Sequence, residues 1–294
     1  MLKRFWTIYT LLPIAFLAGC GGSPEADFVQ VNSAAVDELR TQLASSGSGT
    51  ESDQEEQVGP SGYATLRGRF VLDGSPPPQI KLDISKDPAI CAPGGKDVFA
   101  NDVAVGANGG LANIVIFANG VNEDWVHDSA KPGRTEEIIF DQRECVFLTH
   151  VVGIQTGQPM KVLNSDPVAH NLKVSTTFNQ TIPEGKSVPF VASKELNSPE
   201  KMSCSIHPWM TAYLLVRNDG YFAVTAEDGS FEISNLPAGI ELEFRVWHER
   251  LNGIKGDLQV NGSAETWKKG RFEMTLEPSQ DQELNVVLPA AMFN

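Results

Sequence analysis

The seven residues Cys204-Ser205-Ile206-His207-Pro208-Trp209-Met210 constrain this 294-residue chain more tightly than any other stretch in it. They place a thiol, an imidazole and a thioether at C-x-x-H-x-x-M spacing. A second imidazole, His170, stands upstream in Asp-Pro-Val-Ala-His-Asn. Three donors share one short loop and the fourth is distant in sequence, so only a folded scaffold can bring all four to one point. Singly, such residues in a β domain are usually core or satisfied surface groups. Together they are the donors of a mononuclear copper site. Copper(II) favours imidazole and thiolate, and copper(I) favours thiolate and thioether. A site offering both suits neither state ideally and changes little on one-electron transfer. In it Cys204 supplies the short covalent bond, His170 and His207 complete a trigonal plane, and Met210 lies on the axis. Zinc also takes Cys and His, but the thioether argues for copper.

The scaffold reads as all-β. From residue 62 onward, short β-branched and aromatic runs alternate with turn residues. Residues 63–72 alternate in polarity, and residues 111–118 form a nearly continuous apolar run, as in a strand buried on both faces. Further runs at 136–140, 145–150, 160–163, 212–216, 221–225, 230–233 and 242–248 continue the pattern. Glu227-Asp228-Gly229 predicts a hairpin turn, and Asn235-Leu236-Pro237-Ala238-Gly239 a second tight connection. Many short strands with regular turns predict β-sandwiches. The expected division is a metal-binding domain over 61–217 and a smaller β domain over 218–294. Residues 62–90 belong either to the first or, with the metal domain inserted, to the second.

The N-terminus reads as an export signal. Lys3 and Arg4 precede an apolar stretch too short to span a bilayer, which ends in Leu17-Ala18-Gly19-Cys20. That ending resembles the bacterial lipobox, which implies a signal peptide over 1–19 and lipid attached to Cys20. Residues 20–60 read as an acidic tether, rich in Gly, Ser, Asp and Glu. Within 21–60 eight carboxylates face one basic residue, Arg40, a net −7 of the chain's −14. Val36, Leu39 and Leu43 suggest a short helix over 37–43. Gly21-Gly22 after the cysteine favours the outer membrane, with the protein lipid-anchored in the cell envelope and facing the periplasm. Of four cysteines, lipid takes Cys20 and metal takes Cys204. Cys91 and Cys145 remain, either disulfide-bonded, as an exported compartment permits, or as two buried thiols.

The ligand loop resembles that of the cupredoxins, the blue copper proteins that include plastocyanin and amicyanin, and its short form is most similar to amicyanin. Asn164-Ser165-Asp166-Pro167-Val168-Ala169-His170-Asn171 resembles their first-ligand strand. The resemblance implies a Greek-key β-sandwich, one type 1 copper, and bracing of the ligand loop by Asn171 through Ser205. Residues 221–239 resemble the carboxypeptidase regulatory-like module, a small non-catalytic transthyretin-type β-sandwich. The whole order is similar to exported bacterial proteins labelled methylamine-utilisation-like. The implied function is one-electron transfer, not catalysis, with an exported cytochrome or dehydrogenase as partner and His207 as the electron port. The competing reading is a non-redox envelope module whose metal only staples the fold.

Composition excludes other classes. No basic patch supports nucleic-acid binding. Five histidines are too few, in this arrangement, for the second copper centre of a multicopper oxidase or nitrite reductase. No C-x-x-C-H serves covalent haem, and no nucleophile elbow serves a hydrolase. His127, His150 and His248 lack ligand spacing and read as structural or surface groups.

Overall fold

A computed structural model of the protein describes residues 32–46, 59–251, 254 and 256–294. The expected signal peptide, Cys20 and most of the tether lie outside the described residues. Helix α1 (Ser33–Ser46) covers and extends the predicted 37–43 helix. Its start is marked by Asn32, whose side-chain oxygen accepts the Ala34 N–H at 3.1 Å, the usual way to satisfy an orphan donor at a helix start.

Strands make up most of the regular structure in the remainder. The chain opens with β1 (Gly62–Asp73), helix α2 (Pro88–Cys91) and β2 (Val115–Asn119). It continues through β3 (Ile138–Arg143), β4 (Val146–Phe147), β5 (Val151–Gln155), β6 (Pro159–Asn164) and β7 (His170–Val174). Next come β8 (Phe178–Ile182), β9 (Ser187–Val191), β10 (Glu200–Ser203) and β11 (Thr211–Arg217). The last seven are β12 (Phe222–Val224), β13 (Ser230–Ala238), β14 (Glu241–Trp247), β15 (Gly256–Val260), β16 (Ser263–Trp267), β17 (Arg271–Thr275) and β18 (Asp281–Pro289).

These strands make two sandwiches; the expected division at residue 217 falls between β11 and β12, but the expected start of the metal-binding domain at residue 61 does not hold. One sandwich pairs the sheet β13-β1-β18-β15-β16 with β12-β2-β14-β17 over a core that includes Leu66, Phe70, Ile116, Phe244 and Leu284. The other pairs β5-β11-β10-β7-β8 with β4-β3-β6-β9 over Phe140, Ile154, Val162, Leu172 and Leu214. Thus β1 and β2 belong with the C-terminal strands, and β3–β11 form an insertion between β2 and β12. The reason is register. β1 lies between β13 and β18, with Leu66, Phe70 and Leu72 facing the shared core.

The run 111–118 is buried on both faces, as its composition predicts. Ile116 and Ala118 point into the first core, while Val115 and Phe117 meet Val151 and Leu215 of the inserted sandwich. Contact there is close: a Cβ on Gly153 would lie 2.6 Å from the Phe222 ring. Arg217 spans the same junction. Its guanidinium sits 4.5 Å from the centre of the Phe117 ring and donates to the Ala118 carbonyl, with Glu195 as its counter-ion at 3.1 Å. The tight connection expected at 235–239 is instead the continuation of β13. Asn235 takes a left-handed φ of 57° and the register slips by one residue there. A bulge absorbs the extra residue, and Pro237 is tolerated because β13 is an edge strand.

His248, just beyond β14, is buried, edge-on to Phe293 at 5.1 Å, and its Nδ1 accepts the Arg250 N–H. Burial, then the charges of His150 and Arg250, pushes it down to about 4 from an ordinary 6.5. The unfolded chain therefore binds a proton in that interval that the folded chain refuses. Stability is complete above the unfolded value and falls as pH drops through this window, by about 3 kcal/mol in all. Urea unfolding at a series of pH values should show this slope, and His248→Phe should flatten it.

Candidate metal centre

The hydrogen-bond ladder brings the ligand strands together. β10 pairs with β7 on one side (Ser203 opposite Lys173) and with β11 on the other (Ser203 opposite Thr211). The loop 204–210 therefore emerges beside His170, the first residue of β7. Two internal bonds tighten the loop. Cys204 N–H donates to the Met210 carbonyl at 3.2 Å, and Met210 N–H to the His207 carbonyl at 3.0 Å. The Cys204 sulfur in turn accepts from the backbone N–H of Asn171 at 3.3 Å and of His207 at 3.4 Å. The two donors fix the sulfur's position facing His170 and His207.

Ligand atoms of His170, Cys204 and His207 lie within 4.8 Å of one another, and all three residues are buried. Met210 is buried in the same core. Nδ1 of His170 faces Nδ1 of His207 at 2.9 Å, with the Cys204 sulfur 3.9 Å from the latter. Each ring is held from behind by a carboxylate. Nε2 of His170 meets Asp166 at 2.7 Å, and Nε2 of His207 meets Asp87 at 2.9 Å. A carboxylate only accepts, so each Nε2 carries the proton and each Nδ1 presents a lone pair. Two lone pairs at that distance repel unless a cation lies between them. A shared proton or a metal ion can fill that place. Burial pushes His170 below the ordinary imidazole range, the Asp166 hydrogen bond opposes this, and the charge of His207 adds to it. A soft metal ion suits the sulfur, both nitrogens and the dry surroundings, and this donor set fits copper.

The surrounding contacts are as specific. Asn171 bonds to the loop: its side-chain oxygen accepts the Ser205 N–H at 3.1 Å, and its amide donates to Asn179 at 2.9 Å. Cys91 and Cys145 are bonded, with Cα atoms 5.0 Å apart. The Cys145 N–H donates to Asp166 at 2.8 Å, and the Cys145 carbonyl accepts from the Trp209 indole at 3.1 Å. The disulfide is thus wired to both the His170 carboxylate and the ligand loop.

His207 differs from expectation. It is 0% exposed, and Asp87 covers the ring edge that was to serve as electron port. Pro208 and Trp209 do not carry the imidazole to the surface, because a segment from the β1–β2 connection lies over it. Asp87 and Asp166 are the functional residues that sequence reasoning missed. Asp166 could have been found four residues before His170. Asp87 carries no local signal, since its partner is 120 residues away. Of the other histidines, His150 is nearly buried and pairs with Glu249, while the His127 ring accepts the Ser129 N–H.

No protein-family model matches this chain, and no curated protein matches it. Among solved structures it is similar to the Cu-containing nitrite reductase from Thermus scotoductus SA-01, at 20% identity over 31% of this chain and 24% of that one, with a TM-score of 0.26. It is also similar to amicyanin from Paracoccus versutus, at 12% identity over 35% of this chain and 97% of that one, TM-score 0.26. A purple cupredoxin from Nitrosopumilus maritimus matches at 22% identity over 27% and 97%, TM-score 0.24. The match spans about a quarter (24%) of the reductase's length.

Two outcomes are expected of metal-free protein in denaturant. Asn171→Ala, which strips the Ser205 N–H of its partner, should lower stability by about 1 kcal/mol. Replacing Cys91 and Cys145 together by Ser opens a 54-residue loop and should cost about 4 kcal/mol on the chain-entropy estimate.

Proposed function

We infer that this chain is a copper protein that passes single electrons between exported redox partners. The carrying observation is the pair of inward-facing Nδ1 atoms beside the Cys204 sulfur, with both Nε2 atoms already engaged. Bound copper would supply the one-electron couple, alternating between Cu(I) and Cu(II). The chain's residues do the rest. His170 and His207 are held in one tautomer by Asp166 and Asp87, and the Cys204 sulfur is held in place by two backbone donors. Phe147, Leu172 and Met210 exclude water from the same core, and Asn171 keeps the loop from spreading. Rigid ligands and excluded water favour electron transfer over substrate binding, because neither the coordination nor its surroundings must rearrange.

The remaining parts extend this reading. Lipid on Cys20 would hold the protein to the envelope, facing the periplasm and with the outer membrane favoured. Residues 20–60 would set its reach, and the partner would be an exported cytochrome or dehydrogenase. No helix among the described residues is long and apolar enough to cross a membrane, and a lipid anchor needs none. The outer sandwich would be a carboxypeptidase regulatory-like module without catalysis of its own, serving as the frame on which the metal sandwich is mounted.

Protein loaded with one equivalent of copper should show intense thiolate-to-copper absorption in the visible and narrow copper hyperfine splitting. Cys204→Ser should abolish both. A colourless copper-loaded protein that merely melts at higher temperature would overturn electron transfer in favour of a metal-stapled envelope module.

A further inference from the structure

The β1–β2 connection belongs to one sandwich by sequence and to the other by packing. Ile84 and Ile90 from this connection pack on the core of the inserted metal sandwich. Backbone bonds between Ala100 and Ile80 and between Leu82 and Val98 fold it into a narrow loop. The Cys91–Cys145 disulfide and the Lys96–Glu144 ion pair fasten that loop to the segment following β3. At its tip is Asp87. Asp is a favoured helix N-cap, yet Asp87, directly before α2, makes no side-chain capping bond. Its backbone sits at φ 49°, ψ 44°, a left-handed conformation that costs a non-glycine residue roughly 1–2 kcal/mol. Strain of this kind persists only where the surroundings enforce it. Here the Asp87 side chain is turned away from its own helix to meet Nε2 of His207.

We propose that Asp87, delivered by the other sandwich and locked by the Cys91–Cys145 disulfide, is a positioning residue of the metal centre that both orients His207 and seals its outer edge. The proposal rests on the copper reading for its electronic consequence but not for its structural one. Three observations carry it. His207 is wholly buried although Asp87, its outer neighbour, is 35% exposed, so Asp87 lies between the ring and solvent. Cys91 N–H and Ile90 N–H both donate to the Asp87 carbonyl at 2.9 Å, so the disulfide fixes Asp87 within one turn. The disulfide sulfurs and a His207 ring nitrogen lie within 4.8 Å of one another, so lock, seal and ligand are in contact. Chemically, a carboxylate on Nε2–H makes the imidazole a stronger donor and favours the more highly charged metal state. Loss of such an outer partner typically weakens metal affinity about 10–100-fold.

Two readouts test this, one of them without metal. In metal-free protein, acylation of His207 by diethyl pyrocarbonate, followed by peptide mass spectrometry, should be faster than in wild type both in Asp87→Ala and in the Cys91→Ser/Cys145→Ser double variant. His127, remote from the cap, should react at an unchanged rate and report that the fold is intact. In copper-loaded protein, Asp87→Ala should raise the reduction potential, by about 59 mV for each tenfold loss of Cu(II) over Cu(I) affinity. Asp87→Asn, which keeps the shape and the disulfide, should shift it less and in the same direction. Equal His207 rates in wild type and Asp87→Ala overturn the seal, and an unchanged potential overturns the positioning role. A variant with faster acylation in a chain that never turns blue upholds the seal and instead overturns electron transfer.

Discussion

Two carboxylates set behind two imidazoles determine the character of this centre. Asp166 and Asp87 each take the proton-bearing nitrogen of a ring and so leave the opposite nitrogens unprotonated and converging. Without those carboxylates either ring could flip its tautomer, and the two nitrogens 2.9 Å apart could share a proton as an ordinary hydrogen bond. With them, each ring turns its other nitrogen toward its neighbour, and only a cation between the two relieves their repulsion. The sulfur of Cys204, held by backbone donors, completes a buried donor cluster that suits a soft cation.

The rest of the architecture places those carboxylates. Asp166 is local: its oxygens accept the Glu144 and Cys145 N–H groups, which pin it between the turn after β3 and the start of β7. Asp87 is remote and arrives only because the metal sandwich is nested within the other one. An insertion between β2 and β12 leaves the β1–β2 connection free to reach across, and the disulfide keeps it there. The junction behind it is apolar and close, with Phe117, Val115, Val151 and Leu215 removed from water and Arg217 anchored over an aromatic face. Burying such side chains contributes about 1.5–3 kcal/mol each, enough to resist domain swinging that would withdraw Asp87 from His207.

Local patterns were most legible where one interaction range decided them. The alternation over residues 63–72 is β1, and the doubly apolar run before Asn119 is β2, because side-chain burial follows strand period directly. The contact of Asn171 with Ser205 was an expectation of the resemblance, whereas the sequence left Cys91 and Cys145 open between a disulfide and two buried thiols, and the fold joins them. Local patterns misled where a long-range partner overrode them. Asn235-Leu236-Pro237 reads as a turn, but pairing with β1 draws it into an edge strand through a bulge. His207-Pro208-Trp209 reads as a surface-seeking loop, but the cap buries it. The expected start of the metal-binding domain at residue 61 fails for the same reason, since sequence order says nothing about which sheet β1 completes.

The sequence by itself determined the chemistry: which donors exist, that a thioether accompanies thiol and imidazole, and that β-strands must carry them. Those properties belong to side chains and short-range periodicity. Tertiary structure decided the tautomers, the seal over His207 and the nesting of one sandwich in another. The His207 tautomer, its seal and the nesting depend on a contact between residues more than a hundred positions apart or on the pairing of distant strands, and only the His170–Asp166 contact is local. Such contacts form because buried polar groups must find partners and apolar faces must be covered, and neither demand leaves a mark within any one segment.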